Sequence, residues 1–493
     1  MTFVSTPRTA PSRTPPVSTV LVGGRRLAVA QALGLALFSL LLRLPLLPRW
    51  LEDHDSAHFA LGLGAYDLSL QQPHFPGYPV FLALAWPGHA LGLAEPAALA
   101  LPAAVGGALA AAALAAVLVP WTGRRGAVLA ALFYILLPGI WLADRTPLSD
   151  GLGLHLWTLA LCAALAGERR PWLRTVAALG LGLLLGVRMS AWPLVAGLGL
   201  GLLFRTRDLR SRLAYLGWGA AGVLVWLAPL TLLAGGPAAL VDLGSRFVQG
   251  HLYGWGNTAV GTGAGLRLDA WGWSLGTWGL GLAGLGTLGI WLAAGRDRLA
   301  PARPWWLLAV PALAYAGWLL LGQNPDKPRH VLPLLPVMGI AVALWAGRRT
   351  ERAPWRLALP ALLALLAWDA AARVAVQAGT PSTEVRAARW LARQSPEQAV
   401  WFGGSEVGVL RALAPGWRSH KVHSGTGVDE ALAIWRARPH RVLVSSRVPA
   451  LDGASGLRVP LATFAPRPGV DPQAENLVVY ALVAAAPAPQ DSP

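Results

Sequence analysis

The stretch YPVFLALAWPGHALGL (Tyr78–Leu93) decides how this chain is threaded: it is apolar enough for a membrane, yet has only 16 residues and is interrupted by Pro87 and His89. Apolar runs of roughly 17 to 25 residues qualify as spanning helices. After a first run at 27–48, candidates begin near 78, 97, 126, 151, 175, 191, 213, 272, 304, 331 and 356. With Arg25 and Arg26 cytoplasmic and every candidate crossing, Arg124, Arg125, Arg169 and Arg170 change side, against the positive-inside bias. Treating 78–93 as a juxtamembrane or re-entrant helix removes the conflict. The loops WTGRR, GERR, RTRDLRSR, GRDR and GRRTERAPWR then share one side. The expected fold is an α-helical polytopic membrane protein with about 11 transmembrane helices plus a juxtamembrane helix. Its N-terminus is cytoplasmic and its C-terminus extracytoplasmic, in a plasma (inner) membrane.

Composition agrees. Of 493 residues 55% are hydrophobic and 13% charged, well outside the range of soluble domains. The net charge of +17 sits in short arginine clusters between apolar runs, with no continuous basic face, so nucleic acid is not an expected partner. Cys162 is the single cysteine, which rules out a disulfide framework or a thiolate metal site. Residues 1–26, rich in Ser, Thr and Pro, read as a disordered N-terminus and 27–375 as the transmembrane domain. In 376–484 the helical periodicity of VRAARWLARQ and DEALAIWRAR alternates with buried-strand runs AVWFGG, RVLVSS and NLVVYALV, the pattern of a small extracytoplasmic α/β domain. Residues 485–493 read as a disordered tail.

On the outer side, the loop Glu52–Pro79 holds Glu52, Asp53, His54, Asp55, His58, Asp67 and His74 and no lysine, and ends in PHFPGYP. A solvated loop accounts for scattered polarity, but the Asp53-x-Asp55-x-x-His58 spacing is not mixed with basic residues. Two acids one residue apart serve as a general base, as metal ligands, or both. A divalent metal stays open, although no His-x-x-x-His or Cys partner supports zinc. The second outer turn, DRTPLSD, carries Arg145 and Asp150; read alone, it is equally a capped helical hairpin. In QNPDKPRH, Lys327, Arg329 and His330 lie outside against the charge bias and call for an anion, either a specific phosphate or lipid headgroups in general. Arg188 emerges on the same side. The Gly- and aromatic-rich segment with Arg246, His251, Tyr253, Trp255 and Asn257 suits a sugar or a lipid headgroup, or simply anchors at the interface. The G-x-G-x-x-G match GLGTLG lies in an apolar run, and AVWFGGSEVG has the wrong spacing, so no nucleotide cofactor is expected.

In that order, the acidic first outer loop, the Arg…Asp turn and the basic RHVLPLLP resemble the GT-C superfamily of integral-membrane glycosyltransferases, in particular the protein mannosyltransferase, aminoarabinose transferase and Rgt-like branch. DSAHFA and PHFPGYP match the places of that family's loop acid and its His-Pro-Pro-like turn. The resemblance implies Asp55 as the catalytic acid residue, with His74 in the matching turn and His58 beside it. Ser56 stands where the family usually has Glu, which leaves Asp53 as the second acid. Arg145 and Asp150 match its second outer motif, Arg329 and His330 its late-span motif. The family uses polyprenyl-phosphate sugar donors, so the implied partners are such a donor, a glycan, lipid or protein acceptor, and membrane lipid. The implied chemistry is inverting transfer with Asp55 as general base, Asp53 or Asp150 orienting, and Lys327, Arg329 and Arg145 on the phosphate. The rival reading is a secondary transporter for a small polar or anionic solute, against which stand the clustering of polar groups at one membrane edge and the lack of inverted repeats.

Overall fold

The computed structural model describes residues 17–254, 267–281, 284, 305–346, 353–422, 434–435, 438, 440–448, 457–471 and 475–483. The chain is mostly helical. In order it forms α1 (Val17–Arg43), α2 (His54–Gly64), α3 (Pro79–Ala90), α4 (Glu95–Val117), α5 (Val119–Leu136), α6 (Pro138–Arg145), α7 (Ser149–Ala166), α8 (Trp172–Val187), α9 (Trp192–Arg205), α10 (Leu209–Leu233), α11 (Pro237–Gly254) and α12 (Leu268–Trp273). There follow α13 (Trp305–Gly322), a 3-10 turn at Pro328–Leu334, α14 (Leu335–Ala346) and the long α15 (Ala353–Gly379). Helix α1 starts at Val17, inside the segment expected to lack order, and α15 runs past the expected domain boundary at 375.

Among the described residues six helices are long and apolar enough to cross a membrane, and a seventh crossing arises if α5 and α6, bent by 52° at their break, form one span. The described residues thus give six or seven of the expected crossings, and the count of about 11 is not confirmed. Trp172–Val187, Met189–Arg205 and Pro328–Leu344 are apolar but shorter, and at about 1.5 Å per residue they fall short of a hydrocarbon layer about 30 Å thick. Most of the crossing expected from 272 lies outside the described residues, as do GRDR, most of GRRTERAPWR and DEALAIWRAR, and Trp255 and Asn257. The deciding segment is α3, whose 12 residues reach only about 18 Å. Phe81, Leu82 and Ala85 pack it onto Ala98, Leu99 and Ala103 of α4 and onto Phe59 and Leu63 of α2. The α5–α6 bend falls at Pro138, which starts the second helix without a backbone donor.

The C-terminal region is an α/β unit: α16 (Thr383–Ala392), β1 (Ala399–Gly403), α17 (Glu406–Leu413), β2 (Ser419–Lys421), β3 (Arg441–Ser445), β4 (Leu457–Phe464) and β5 (Leu477–Val483). The sheet runs β2-β1-β3-β5-β4, parallel from β2 to β3 and antiparallel beyond. Strands β1, β3 and β5 are the three apolar runs visible in the sequence. β4 was not visible there, because Pro460 reads against a strand; it lies at the sheet edge, with a register shift between Pro460 and Ala462, where proline is tolerated. Leu51 and Ala57 of the first outer loop enter the core of this domain beside Val385, Leu391, Trp401 and Leu410. Gly408 permits this approach, since a Cβ there would collide with the His54 imidazole.

Between α1, α5, α6 and α7 runs a buried polar chain. Asp144 takes the Arg43 guanidinium on one oxygen and His155 on the other, with side-chain exposure of 1% or less for all three. Arg43 also donates to the Ile135 carbonyl at 3.1 Å, and Tyr134 meets His155 Nδ1 at 2.7 Å and Thr158 at 3.0 Å. Removing one member strands the other charge. Asp144→Ala is expected to destabilise the protein by about 3–5 kcal/mol, read as a lower melting temperature in detergent, and the double variant Arg43→Met, Asp144→Leu to recover part of the loss.

Candidate active site

Helix α2 begins at Asp53 for a local reason. The Asp53 carboxylate accepts from the Ser56 amide at 3.0 Å, and Ser56 Oγ accepts from the Asp53 amide at 2.8 Å and the Glu52 amide at 2.9 Å, a reciprocal cap. A serine at 56 thus fixes the helix start. Asp55 follows in the first turn.

The acids converge on one guanidinium. Arg329 Nη1 donates to Asp53 at 3.0 Å, Nη2 donates to Asp55 at 2.7 Å, and Nε lies 3.7 Å from an Asp150 oxygen, too far for a hydrogen bond. Asp150, in the first turn of α7, is also paired with Arg188 at 2.8 Å. Five residues singled out from sequence, Asp53, Asp55, Asp150, Arg188 and Arg329, therefore meet at one point although they come from four separate segments. The cation at the centre is a side chain. Among the described residues no group of three or more His, Cys, Asp or Glu side chains is disposed to hold a metal.

Next to the acids lies a cluster of imidazoles packed tilted and edge-on. His54 and His58 have ring centroids 4.0 Å apart, His58 and His74 6.1 Å, and His74 Nε2 meets the Tyr78 hydroxyl at 3.1 Å. Lys421 of β2 reaches His54 Nε2 at 2.7 Å. Burial, then His74, pushes the His58 imidazole down to about 4, and burial lowers His54 and His74 as well. Burial also works against the charged form of Asp55, yet His74, Arg329 and His54 together outweigh it and hold the carboxyl below its usual range. With the imidazoles neutral near pH 7, Arg329 carries that effect.

Other expected site residues lie elsewhere. His330 is buried, its Nδ1 3.2 Å from the Asn324 carbonyl and its own carbonyl accepting from Tyr315 at 2.8 Å, so it braces the turn. Arg145 donates to the Leu46 carbonyl and, at 3.1 Å, to Gln377; it ties the first two outer loops to α15. Lys327 and Arg329 line a cavity of about 120 Å³ together with Asp53, Asp150, Glu384 and Arg447. The last two come from the C-terminal domain and carried no usable signal in the sequence: a glutamate in the first turn of a helix is ordinary dipole compensation. Lys421 escaped notice for a similar reason, as an isolated lysine on a short strand.

No family model and no curated protein matches the sequence. Solved structures do. ArnT from Cupriavidus metallidurans in the apo state is 16% identical with a TM-score of 0.53, over 94% of this chain and 99% of that one. The same protein bound to undecaprenyl phosphate matches at 16% identity and a TM-score of 0.50, over 95% and 99%. The Archaeoglobus fulgidus oligosaccharyltransferase in the apo form is 14% identical with a TM-score of 0.53, over 94% of this chain and 75% of that one.

The histidine cluster sets a pH response. An unfolded histidine titrates near about 6.5, so between about pH 6.5 and 4 the unfolded chain binds protons that the native one refuses, and stability falls as pH is lowered. The depressed Asp55 adds its own loss only below the usual carboxylate range, outside that window. Glu384, pushed up to about 7 by burial, works in the opposite sense over that range, so the test is a difference: His58→Gln is expected to lose less melting temperature than wild type between pH 7 and 4.5. At these levels of identity the likeness is one of fold, and the chain has the fold of the GT-C glycosyltransferases.

Proposed function

We propose that the protein is a glycosyltransferase that moves a sugar from a polyprenyl-phosphate donor to a hydroxyl acceptor at the extracytoplasmic face of the plasma (inner) membrane. The observation that carries this reading is the Asp53/Asp55/Asp150 cluster around Arg329 at the edge of a cavity that also contains Lys327. A carboxylate for the acceptor proton and cations for a leaving phosphate stand side by side. The undecaprenyl phosphate bound by ArnT, a protein of the same fold, supports the donor class.

In this reading the acceptor oxygen attacks the anomeric carbon while the bond from that carbon to the phosphate oxygen breaks. Asp55 takes the hydroxyl proton, and the electron pair leaves with the phosphate, stabilised by Arg329 and Lys327. Arg329 holds Asp55 at 2.7 Å, which makes the resting carboxylate a weak base. Its Nε–H is buried and has no hydrogen-bond partner among the described residues. A donor phosphate that draws the guanidinium toward itself loosens the grip on Asp55 and raises its basicity, so donor binding and base activation are coupled through one side chain. Asp150, backed by Arg188, keeps a negative charge next to Arg329 throughout. Asp53, as the helix cap, fixes the direction of Asp55.

Asp55→Asn is expected to lower transfer by about 10²–10⁴-fold while the protein still folds, measured as label passing from a panel of polyprenyl-phosphate sugars to acceptor by the protein in lipid. Wild-type and variant proteins of equal activity would overturn the assignment of the base. Absence of transfer from every donor by the wild type would overturn the enzyme reading.

A further inference from the structure

The C-terminal domain puts a second polar pair into the same cavity. Glu384, in the first turn of α16, and Arg447, after β3, both line it, together with Ser382 and Thr383. Glu384 is 8% exposed. One of its oxygens is fully used: Oε1 accepts from Ser405 Oγ at 2.7 Å and from Arg447 Nη1 at 3.1 Å. Its Oε2 is buried with no hydrogen-bond partner among the described residues. Arg447 is held in place by a further donation to the Thr383 hydroxyl at 3.1 Å.

A pair serving only to brace the domain would have both carboxylate oxygens satisfied, since an unpaired buried acceptor costs free energy without return. Here one oxygen is fixed by protein and the other is left over in a residue that lines the cavity. A guanidinium and a carboxyl side by side match a sugar ring, whose neighbouring hydroxyls both donate and accept. We propose that Glu384 and Arg447 form a hydroxyl-binding subsite for a sugar ring, so that the C-terminal domain selects the carbohydrate while the membrane loops carry the chemistry. This assignment rests on the glycosyl-transfer reading above.

The surroundings add a pH signature. Burial, followed by Asp53, pushes the Glu384 carboxyl up to about 7, against the pull of Arg447 and Lys327 and the bond from Ser405; Lys421 also acts on it. Near neutral pH the group therefore changes between hydrogen-bond donor and acceptor.

The sugar comes from the donor or from the acceptor, and kinetics separate the two. Wild type and Glu384→Gln in lipid nanodiscs are compared for kcat, for KM toward the polyprenyl-phosphate sugar and toward the acceptor, and for thermal shift on adding undecaprenyl phosphate, which has no sugar. The expected result is a KM raised about tenfold for one substrate, which identifies the source of the ring, with an unchanged response to undecaprenyl phosphate. The wild-type KM should also inflect near pH 7 and the variant's should not. KM values for both substrates within about twofold of wild type, or a loss confined to kcat, would overturn the subsite. If Glu384→Gln fails to fold, Thr383→Val, which removes only a hydroxyl on Arg447, is read by the same KM and undecaprenyl phosphate criteria, with the inflection near pH 7 retained. A wild type inactive with every donor would remove the parent reading and this one with it, whereas an active wild type with an indifferent variant would remove the subsite alone.

Discussion

The pairing of Arg43 with Asp144 joins the end of the first helix to the end of the sixth and so ties together the two polar loops that follow them. The next residue, Arg145, binds the Leu46 carbonyl, so the stems of the first two outer loops are fixed together at two successive positions. From that anchor the chain has only a few residues to travel before Asp53 on one side and Asp150 on the other. Both then lie within reach of Arg329. A buried ion pair adds little net stability compared with apolar packing, but its directional bonds define a register, and here that register decides which acids share a cation.

The site is also an electrostatic compromise. Three carboxylates close together repel, and burial makes their charge costly. Arg329 relieves both problems, with Arg188 taking part of Asp150. The neutral imidazoles next to Asp55 fill space without adding charge. The result is a state in which Asp55 is ionised and restrained. Such a restraint can be released by any anion that competes for the guanidinium.

Much of this was legible in the sequence, and the reasons differ from residue to residue. The acids of the first loop, Asp150, Arg188 and Arg329 stood out because charge at a membrane edge is costly and those positions broke the local charge pattern. The non-crossing nature of Tyr78–Leu93 followed from arginine sidedness, and the 12-residue α3 agrees with it. The span count is not confirmed among the described residues, because apolar length in sequence does not reveal where a helix bends or stops short, as at Pro138. Arg145 and His330 were read from the family motifs they match; the structure places them on the Leu46 carbonyl and Gln377 and on the Asn324 carbonyl, contacts that the sequence does not show. Glu384, Arg447 and Lys421 were beyond reach, since their relevance arises only from the docking of a domain on a loop hundreds of residues away.

That docking runs through α2. One of its faces, with Ala57, belongs to the core of the C-terminal domain, and another, with Phe59 and Leu63, belongs to the membrane-side core with Phe81 and Leu99. Ser382 closes the seam by donating to the Glu52 carbonyl, 330 residues earlier in the chain. During synthesis the first loop is made hundreds of residues before the domain that covers it, so α2 keeps an apolar face uncovered in the interval. The cavity is thus completed only once the C-terminal domain has been made, and a chain cut short before that domain lacks one wall of the cavity along with the partner that holds α2.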